Sequence, residues 1–148
     1  VGTAARRWPV VQHAPRRASA GGATVLTADD GPRADRLVDP DALYTGTWTV
    51  NPASNRVGVR LDRVEGPALA HQARLPELPS EGIAHGSIQV PPGGQPVLFG
   101  PDHPVTGGYP VVAVLTADSL DAAGQLSPGT TVVLRRRAAP ADGPLTLP

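Results

Sequence analysis

The stretch that most constrains this chain is residues 76–110, where glycine and proline punctuate short apolar runs. Two of these runs, Ile-Gln-Val at 88–90 and Val-Leu-Phe at 97–99, flank the sequence Pro-Pro-Gly-Gly-Gln-Pro at 91–96. A Gly-Gly pair between β-type runs is typical of a hairpin, because glycine readily adopts the positive φ of a tight turn. We therefore predict antiparallel strands at about residues 87–91 and 96–100 that turn at Gly93-Gly94.

Composition extends this prediction to the whole chain. The 148 residues include 18 Pro and 17 Gly, which punctuate the apolar runs throughout. Five aromatic residues (two Trp, two Tyr and one Phe) leave the core mostly to Val, Leu, Ile and Ala. One domain is expected at this length. Six to eight short strands with two short helices predict a mainly β fold, a closed or nearly closed barrel.

Charge and residue usage exclude several function classes. The formal net charge is zero, so no overall field attracts nucleic acid or an anionic membrane. All 13 basic residues are Arg, which excludes lysine Schiff bases, and the absence of Cys excludes disulfides and thiol nucleophiles. The four His have no zinc-site spacing, so no metal is expected. Without a signal peptide or an apolar run of roughly 20 residues, we expect a soluble cytoplasmic protein.

The remaining strands and helices follow from pattern and capping signals. Strands are predicted at residues 24–27, 48–50, 54–61, 111–115 and 132–134. Asp39 is predicted to cap one short helix, and Asp118 or Ser119 a second over residues 117–126. Alternation over 54–61 places Arg56 and Arg60 on one strand face, which is either a solvent face or a binding site for a carboxylate or phosphate.

Polar side chains around the hairpin are the candidate site. The segments before and after a hairpin leave at the same end, so Glu81 and Asp102 are predicted to share a pocket with Thr106 and Tyr109 on its wall. Two carboxylates in one pocket have their pKa values pushed apart, so that one acts as base and the other stays protonated.

Local structure offers an alternative reading of the same polar residues. Ser80 and Glu81 are suited to hydrogen bonds with nearby backbone. Asp102 either pairs with His103 as an acid–base cluster or caps the turn at residues 105–106. Gln89, which interrupts an apolar strand, lies either on a wet face or in a pocket.

The same segments carry a family resemblance. Ser-Glu-Gly at 80–82, Gly-Ser-Ile-Gln-Val-Pro at 86–91, Gly-Gln-Pro at 94–96 and Thr-Gly-Gly-Tyr-Pro at 106–110 resemble the signature of the KipA family. That family is also called allophanate hydrolase subunit 2, biotin-dependent carboxyltransferase family protein or the C subunit of 5-oxoprolinase. Gly-Pro-Arg at 31–33 fits the same pattern, whereas Asn55 stands where the family usually has Asp.

The resemblance implies a domain organisation. A cyclophilin-like β-barrel would span residues 24–137, between a linker or disordered tail at 1–23 and a tail at 138–148. This barrel would be the C-terminal half of a KipA-like protein. The absence of Met is compatible with a fragment of a longer chain. Without an N-terminal half, uncovered apolar strand edges would make the segment bind a partner or self-associate.

The resemblance also implies a function. The chain would be part of an ATP-dependent hydrolase or carboxyltransferase complex acting on a small amide or lactam, most directly converting 5-oxoproline to glutamate. ATP would act at the level of the complex, and biotin only in a carboxyltransferase. The partners would be a KipI-like protein (the B subunit) and a LamB/YcsF-like protein (the A subunit). The alternative is a non-catalytic module that binds and antagonises a KipI-type kinase inhibitor.

Site roles complete these expectations. The residues expected to act in catalysis are Asp102, Glu81, Thr106 and Tyr109. The residues expected to bind substrate are Arg56, Arg60, Ser80, Gln89, Gly107 and Gly108.

Overall fold

The structure, a computed structural model, describes residues 22–138. Nine strands lie between residues 24 and 136 of this range. They are β1 (Thr24–Asp30), β2 (Thr47–Val50), β3 (Gly58–Glu65), β4 (Glu81–Gly82), β5 (Ser87–Gln89), β6 (Val97–Phe99), β7 (Thr106–Gly107), β8 (Val111–Leu115) and β9 (Thr131–Arg136). One α-helix, α1 (Ala117–Ala123), and two 3₁₀ turns (Ala34–Arg36 and Pro40–Leu43) complete the elements.

Seven of these strands close into a barrel, in the order β1-β8-β5-β6-β3-β2-β9. Neighbouring strands are antiparallel except β1 and β9, whose parallel pairing closes the ring. The remaining two, β4 and β7, form a small antiparallel ribbon beside it. The prediction of a mainly β barrel with one or two short helices is confirmed. Because the barrel's strands form a ring, the predicted uncovered edges do not exist there, and that argument for self-association is wrong.

The core fills the barrel with aliphatic side chains around one tryptophan. Trp48 is almost fully buried, and its indole nitrogen donates to the carbonyl of Leu43 at 3.2 Å. Ile88 and Leu98 pair across β5 and β6, and both point into this core. Since side chains alternate along a strand, Gln89 and Val97, which also pair, lie on the outer face.

The predicted hairpin is confirmed. β5 and β6 are antiparallel, and the amide of Gly94 donates to the carbonyl of Pro91 at 2.9 Å to close the turn. Gly94 has a φ of +74°, which glycine adopts without a side-chain clash.

Several element boundaries differ from the sequence prediction. The strand expected at residues 54–61 begins only at Gly58, because the preceding residues form a turn, so Arg56 does not share a strand face with Arg60. Asp39 caps the 3₁₀ turn at Pro40–Leu43 as predicted, accepting from the amide of Asp41. The α-helix instead has Thr116 at its N-cap, ahead of both predicted caps.

The two ends of the chain were predicted to be a linker and a tail, and no membrane-spanning segment was expected. The linker expected at residues 1–23 and the tail expected at 138–148 lie outside the described residues, apart from positions 22, 23 and 138. Within residues 22–138, no helix is both long enough and apolar enough to span a bilayer.

Candidate functional site

A cleft of about 270 Å³ lies on the outer face of β3, β5 and β6, and we call it the outer cleft. It contains three of the predicted site residues, Arg60, Gln89 and Tyr109. Strand register explains the grouping, because Val97 pairs with Arg60 on one side and with Gln89 on the other. The remaining lining residues are Asn55, Val57, Gly58, Pro91, Val97 and Phe99.

Gln89 is the most enclosed polar group of the outer cleft. Although it points outward from the barrel, it is only 3% exposed, because the segment around Tyr109 folds over it. Its Nε2 donates to the carbonyl of Tyr109 at 2.8 Å. A Cβ at Gly107 would lie 3.3 Å from this nitrogen, so glycine allows the close approach. The bond fixes the amide and leaves Oε1 to accept from a molecule in the cleft.

Arg60 and Tyr109 bring a cation and a phenol to the same cleft. Arg60 is exposed, and within residues 22–138 its guanidinium makes no ion pair. Tyr109 is 51% exposed. Together with the Gln89 amide, the cleft offers donors for a carboxylate and a carbonyl, and an acceptor for an N–H.

Asn55 builds the turn that begins the cleft. Its Oδ1 accepts from the amides of Val57 at 2.9 Å and Gly58 at 3.3 Å. An aspartate offers the same oxygen, so asparagine maintains this turn without a charge. The departure from the family pattern at this position therefore leaves the turn intact.

Asp102 forms an ion pair with Arg56 beside the outer cleft. The Arg56 Nε lies 2.7 Å from Oδ2, and its Nη2 lies 3.3 Å from Oδ1. Hydrogen bonding to Arg56 lowers the pKa of Asp102. The side chain of Asp102 is therefore paired with Arg56, and not with His103 or the turn at residues 105–106. The His103 ring instead stacks with His85, at a centroid distance of 6.2 Å.

Glu81 has a separate arginine partner, which the sequence reasoning missed. The Nε of Arg33 donates to both carboxylate oxygens at 3.1 Å, and its Nη2 also contacts Oε1. These hydrogen bonds lower the pKa of Glu81. Arg33 belongs to the Gly-Pro-Arg motif at 31–33, so the motif already marked this residue in the sequence. That Arg33 pairs with Glu81 is visible only in the fold.

The segments that carry the two carboxylates emerge together as predicted, but the predicted shared pocket is wrong, since neither Glu81 nor Asp102 lines the outer cleft. Glu81 pairs with Gly107 across the β4–β7 ribbon, so the segments flanking the hairpin do emerge at one end. Each carboxylate, however, has its own guanidinium, and both pKa values are lowered. The expectation that one carboxyl stays protonated is therefore wrong, because neither lies against the other or in an apolar pocket.

The other predicted residues do not line the outer cleft. Ser80 and Thr106 are exposed, and Thr106 pairs with Gly82 in the ribbon. Gly107 packs on Ile83, and a Cβ added at Gly107 would lie 2.7 Å from the Cδ1 of Ile83. Gly108 is exposed beside the Leu78 carbonyl. The roles predicted for these residues stay predictions.

Comparison with known families agrees with this architecture. The sequence pattern of the carboxyltransferase domain, subdomains A and B, matches residues 1–136. The chain belongs to this carboxyltransferase domain family. The resemblance inferred from the motifs at 80–110 is thereby confirmed.

Relatives of known name and structure support the same assignment. The chain is 39% identical over 89 residues to the C subunit of the 5-oxoprolinase of Haemophilus influenzae, a match covering 60% of this chain and 28% of that protein. The crystal structure of TTHA0988 matches 76% of this chain and 21% of its own, at 31% identity and a TM-score of 0.62. The Kluyveromyces lactis urea amidolyase matches 77% of this chain and 7% of its own, at 26% identity and a TM-score of 0.63. In each case the matched region is under a third of the relative's length.

Proposed function

We propose that this carboxyltransferase-domain chain is part of the C subunit of a 5-oxoprolinase, and that its outer cleft binds a small lactam or amide. The observation that carries the proposal is the convergence of Arg60, Gln89 and Tyr109 on one cleft. The 39% identity to the C subunit of a 5-oxoprolinase supports 5-oxoproline as the substrate. Hydrolysis of its lactam to glutamate is the proposed reaction of the complex.

Each polar group of the cleft has a proposed task on this substrate. Arg60 would bind the carboxylate, because a guanidinium offers two parallel donors. The Oε1 of Gln89 would accept from the lactam N–H, and the hydroxyl of Tyr109 would donate to the lactam carbonyl. Val97 and Phe99 supply an apolar wall against which the ring methylenes can pack.

The two carboxylates have a different proposed task. Asp102 and Glu81 do not line the outer cleft, and their arginine partners keep them ionised. We propose that they are positioning residues: Asp102 holds the 55–58 turn through Arg56, and Glu81 holds the ribbon through Arg33. The group that activates water would then come from another part of the complex.

ATP and biotin are proposed at the level of the complex. The turn at Gly93-Gly94 leads into a strand, with no lysine, so the chain does not fit a phosphate-binding loop there. A KipI-like B subunit and a LamB/YcsF-like A subunit are the proposed partners that supply ATP-dependent activation. Biotin would enter only if the complex transfers a carboxyl group. Its cyclic urea could then use the same acceptor on Gln89.

The proposal is tested in the assembled complex of this chain with both partner proteins from the same organism. We expect 5-oxoproline-dependent ATP hydrolysis, with Arg60→Gln raising the KM for 5-oxoproline about tenfold or more, since a charge-assisted hydrogen bond is lost. Arg135→Ala, which changes an exposed arginine on β9, is the matched control and should leave the KM unchanged.

Two outcomes would contradict the proposal. An unchanged KM in Arg60→Gln would remove the outer cleft from substrate binding. A complex that forms but shows no substrate-dependent turnover, while the chain relieves inhibition by a KipI-type kinase inhibitor, would favour the regulatory alternative.

A further inference from the structure

Arg63 is a half-buried cation that has no acidic partner within residues 22–138. It lies opposite Trp48 on the neighbouring strand, and its guanidinium carbon sits 3.6 Å from the centroid of the Trp48 ring. Nη2 donates to the carbonyl of Ala42 at 2.9 Å, and Nη1 to that of Glu65 at 3.5 Å. Both acceptors are neutral, and no carboxylate within residues 22–138 forms an ion pair with Arg63.

The hydrogen bonding of Arg63 is incomplete. Its Nε is the one buried side-chain nitrogen or oxygen in the described part of the chain that has no hydrogen-bond partner. Burial also lowers the pKa of this guanidinium. Removing a charge from water without a counter-charge raises the free energy of the folded protein. An anion reaching the Nη edge of Arg63 would offset that cost.

A second cleft provides the space for such an anion, and we call it the tip cleft. It has a volume of about 320 Å³ and lies against the hairpin turn, and its lining includes Arg63, Ala68 and Leu69. It shares no lining residue with the outer cleft. The turn is seated tightly here, because a Cβ at Gly94 would lie 2.5 Å from the Leu69 carbonyl.

The one acidic residue of the tip cleft already has partners of its own. Asp62 accepts from the Asn51 side-chain amide on one oxygen and from the Gln95 amide on the other, both at 2.6 Å. These two donors partly neutralise the carboxylate and hold it in place. Arg63 therefore remains the unpaired charge in this cleft.

We propose that the tip cleft binds a short aliphatic carboxylate, with its charge on Arg63 and its chain against Ala68 and Leu69. A single guanidinium matches the charge and planar shape of one carboxylate. A phosphate dianion would face Asp62 with only one cation to balance it. The apolar wall favours a ligand of a few methylenes over a bare anion.

The test is an NMR titration of the ¹⁵N-labelled 148-residue chain with sodium butyrate, against sodium chloride at equal ionic strength. We expect saturable shifts of the Gly66 and Gly94 amides and of the Arg63 Nε–H, which chloride does not reproduce. Formate should bind more weakly than butyrate, and inorganic phosphate more weakly still. Saturable binding in which phosphate is the tightest ligand, or no saturable butyrate shift, would overturn the proposal.

Variants assign the binding to Arg63. Arg63→Gln should weaken butyrate binding about tenfold or more, since one charge-assisted contact is lost. Arg135→Gln and Arg60→Gln should leave the butyrate shifts of the Gly66 and Gly94 amides and of the Arg63 Nε–H unchanged, which separates this site from the outer cleft. If Arg63→Gln fails to fold, Ala68→Trp fills the cleft from an exposed loop position and leaves Arg63 unchanged. Undiminished butyrate binding in folded Arg63→Gln or in Ala68→Trp would overturn the assignment.

Discussion

Asp102 and Arg56 meet through two hydrogen bonds, at 2.7 Å and 3.3 Å, and so join two loops beside the outer cleft. Backbone bonds run in parallel, since the Asp102 amide donates to the Arg56 carbonyl and the Gly100 amide to that of Val57. The positioning role proposed for Asp102 would therefore act through the turn at residues 55–58. Because Arg56 and Asp102 form one pair, variants of the two residues can distinguish a positioning role of Asp102 from a catalytic role.

Asp102→Asn and Arg56→Gln are expected to lower the kcat/KM of the assembled complex to the same extent, by up to about fivefold, since an exposed ion pair contributes little free energy. If the pair only positions the turn, the double variant should be no worse than either single variant, because both remove one interaction. Both sites are exposed, with 49% and 78% of the side chain accessible, so the thermal midpoint should change little. Steady-state kinetics and thermal unfolding check this.

The opposite outcome would restore a catalytic role for Asp102. A general base is lost in Asp102→Asn but retained in Arg56→Gln. Abolished turnover in the first variant with near-normal turnover in the second would contradict the positioning role.

Glu81 is expected to titrate below the ordinary range of a glutamate. Hydrogen bonds from Arg33 lower its folded pKa, so the ion pair contributes stability above the unfolded pKa and loses it as pH falls through the folded value. The contribution is therefore complete at neutral pH. A pH titration of the Glu81 side-chain carbonyl by ¹³C NMR measures the pKa, and Arg33→Gln should raise it. A Glu81 pKa at or above the usual value would contradict the structure.

The barrel was predictable because its determinants are local. Glycine at the hairpin turn, the alternation of Ile88 with Gln89, and the Asp39 cap each act over a few residues. The same short-range logic places the segments before β5 and after β6 at one end of the hairpin. The ribbon pairing of Glu81 with Gly107 is the consequence.

The partners of charged residues were not predictable in this way. Arg33 and Glu81 are 48 positions apart, and Arg56 and Asp102 are 46 apart, so only the closed barrel brings each pair together. Without these arginine partners, the sequence suggests opposed pKa values for the two carboxylates, and that expectation is wrong. For Gln89, in contrast, the sequence allows two positions, a solvent-exposed face or a pocket. In the structure its side chain is covered on the outer face of the barrel.

The core predicts a large difference between two aliphatic substitutions. Leu98 is 1% exposed, so Leu98→Ala should lower the free energy of unfolding by about 2–5 kcal/mol through lost burial and the cavity left behind. Val105 is 80% exposed, so Val105→Ala should change it by no more than about 0.5 kcal/mol. Urea unfolding followed by tryptophan fluorescence measures both. Equal effects would mean that Leu98 is not in a packed core.

The two glycines of the hairpin turn should respond differently to the same substitution. Gly94 has a φ of +74°, and a Cβ there would lie 2.5 Å from the carbonyl oxygen of Leu69. Gly94→Ala should therefore destabilise the fold by roughly 1–3 kcal/mol through backbone strain and displacement of that carbonyl. At Gly93 a Cβ meets nothing within 4 Å, so Gly93→Ala should stay within about 0.5 kcal/mol of the unsubstituted chain.

Urea unfolding of both glycine variants checks this pair, with amide spectra to locate the change. The shifts in Gly94→Ala should centre on the turn and on Leu69, since that is where the Cβ intrudes. If Gly94→Ala is as stable as Gly93→Ala, the turn does not have the seated conformation described here. The tip cleft would then be lost as well, because the contact between Gly94 and Leu69 forms part of its wall.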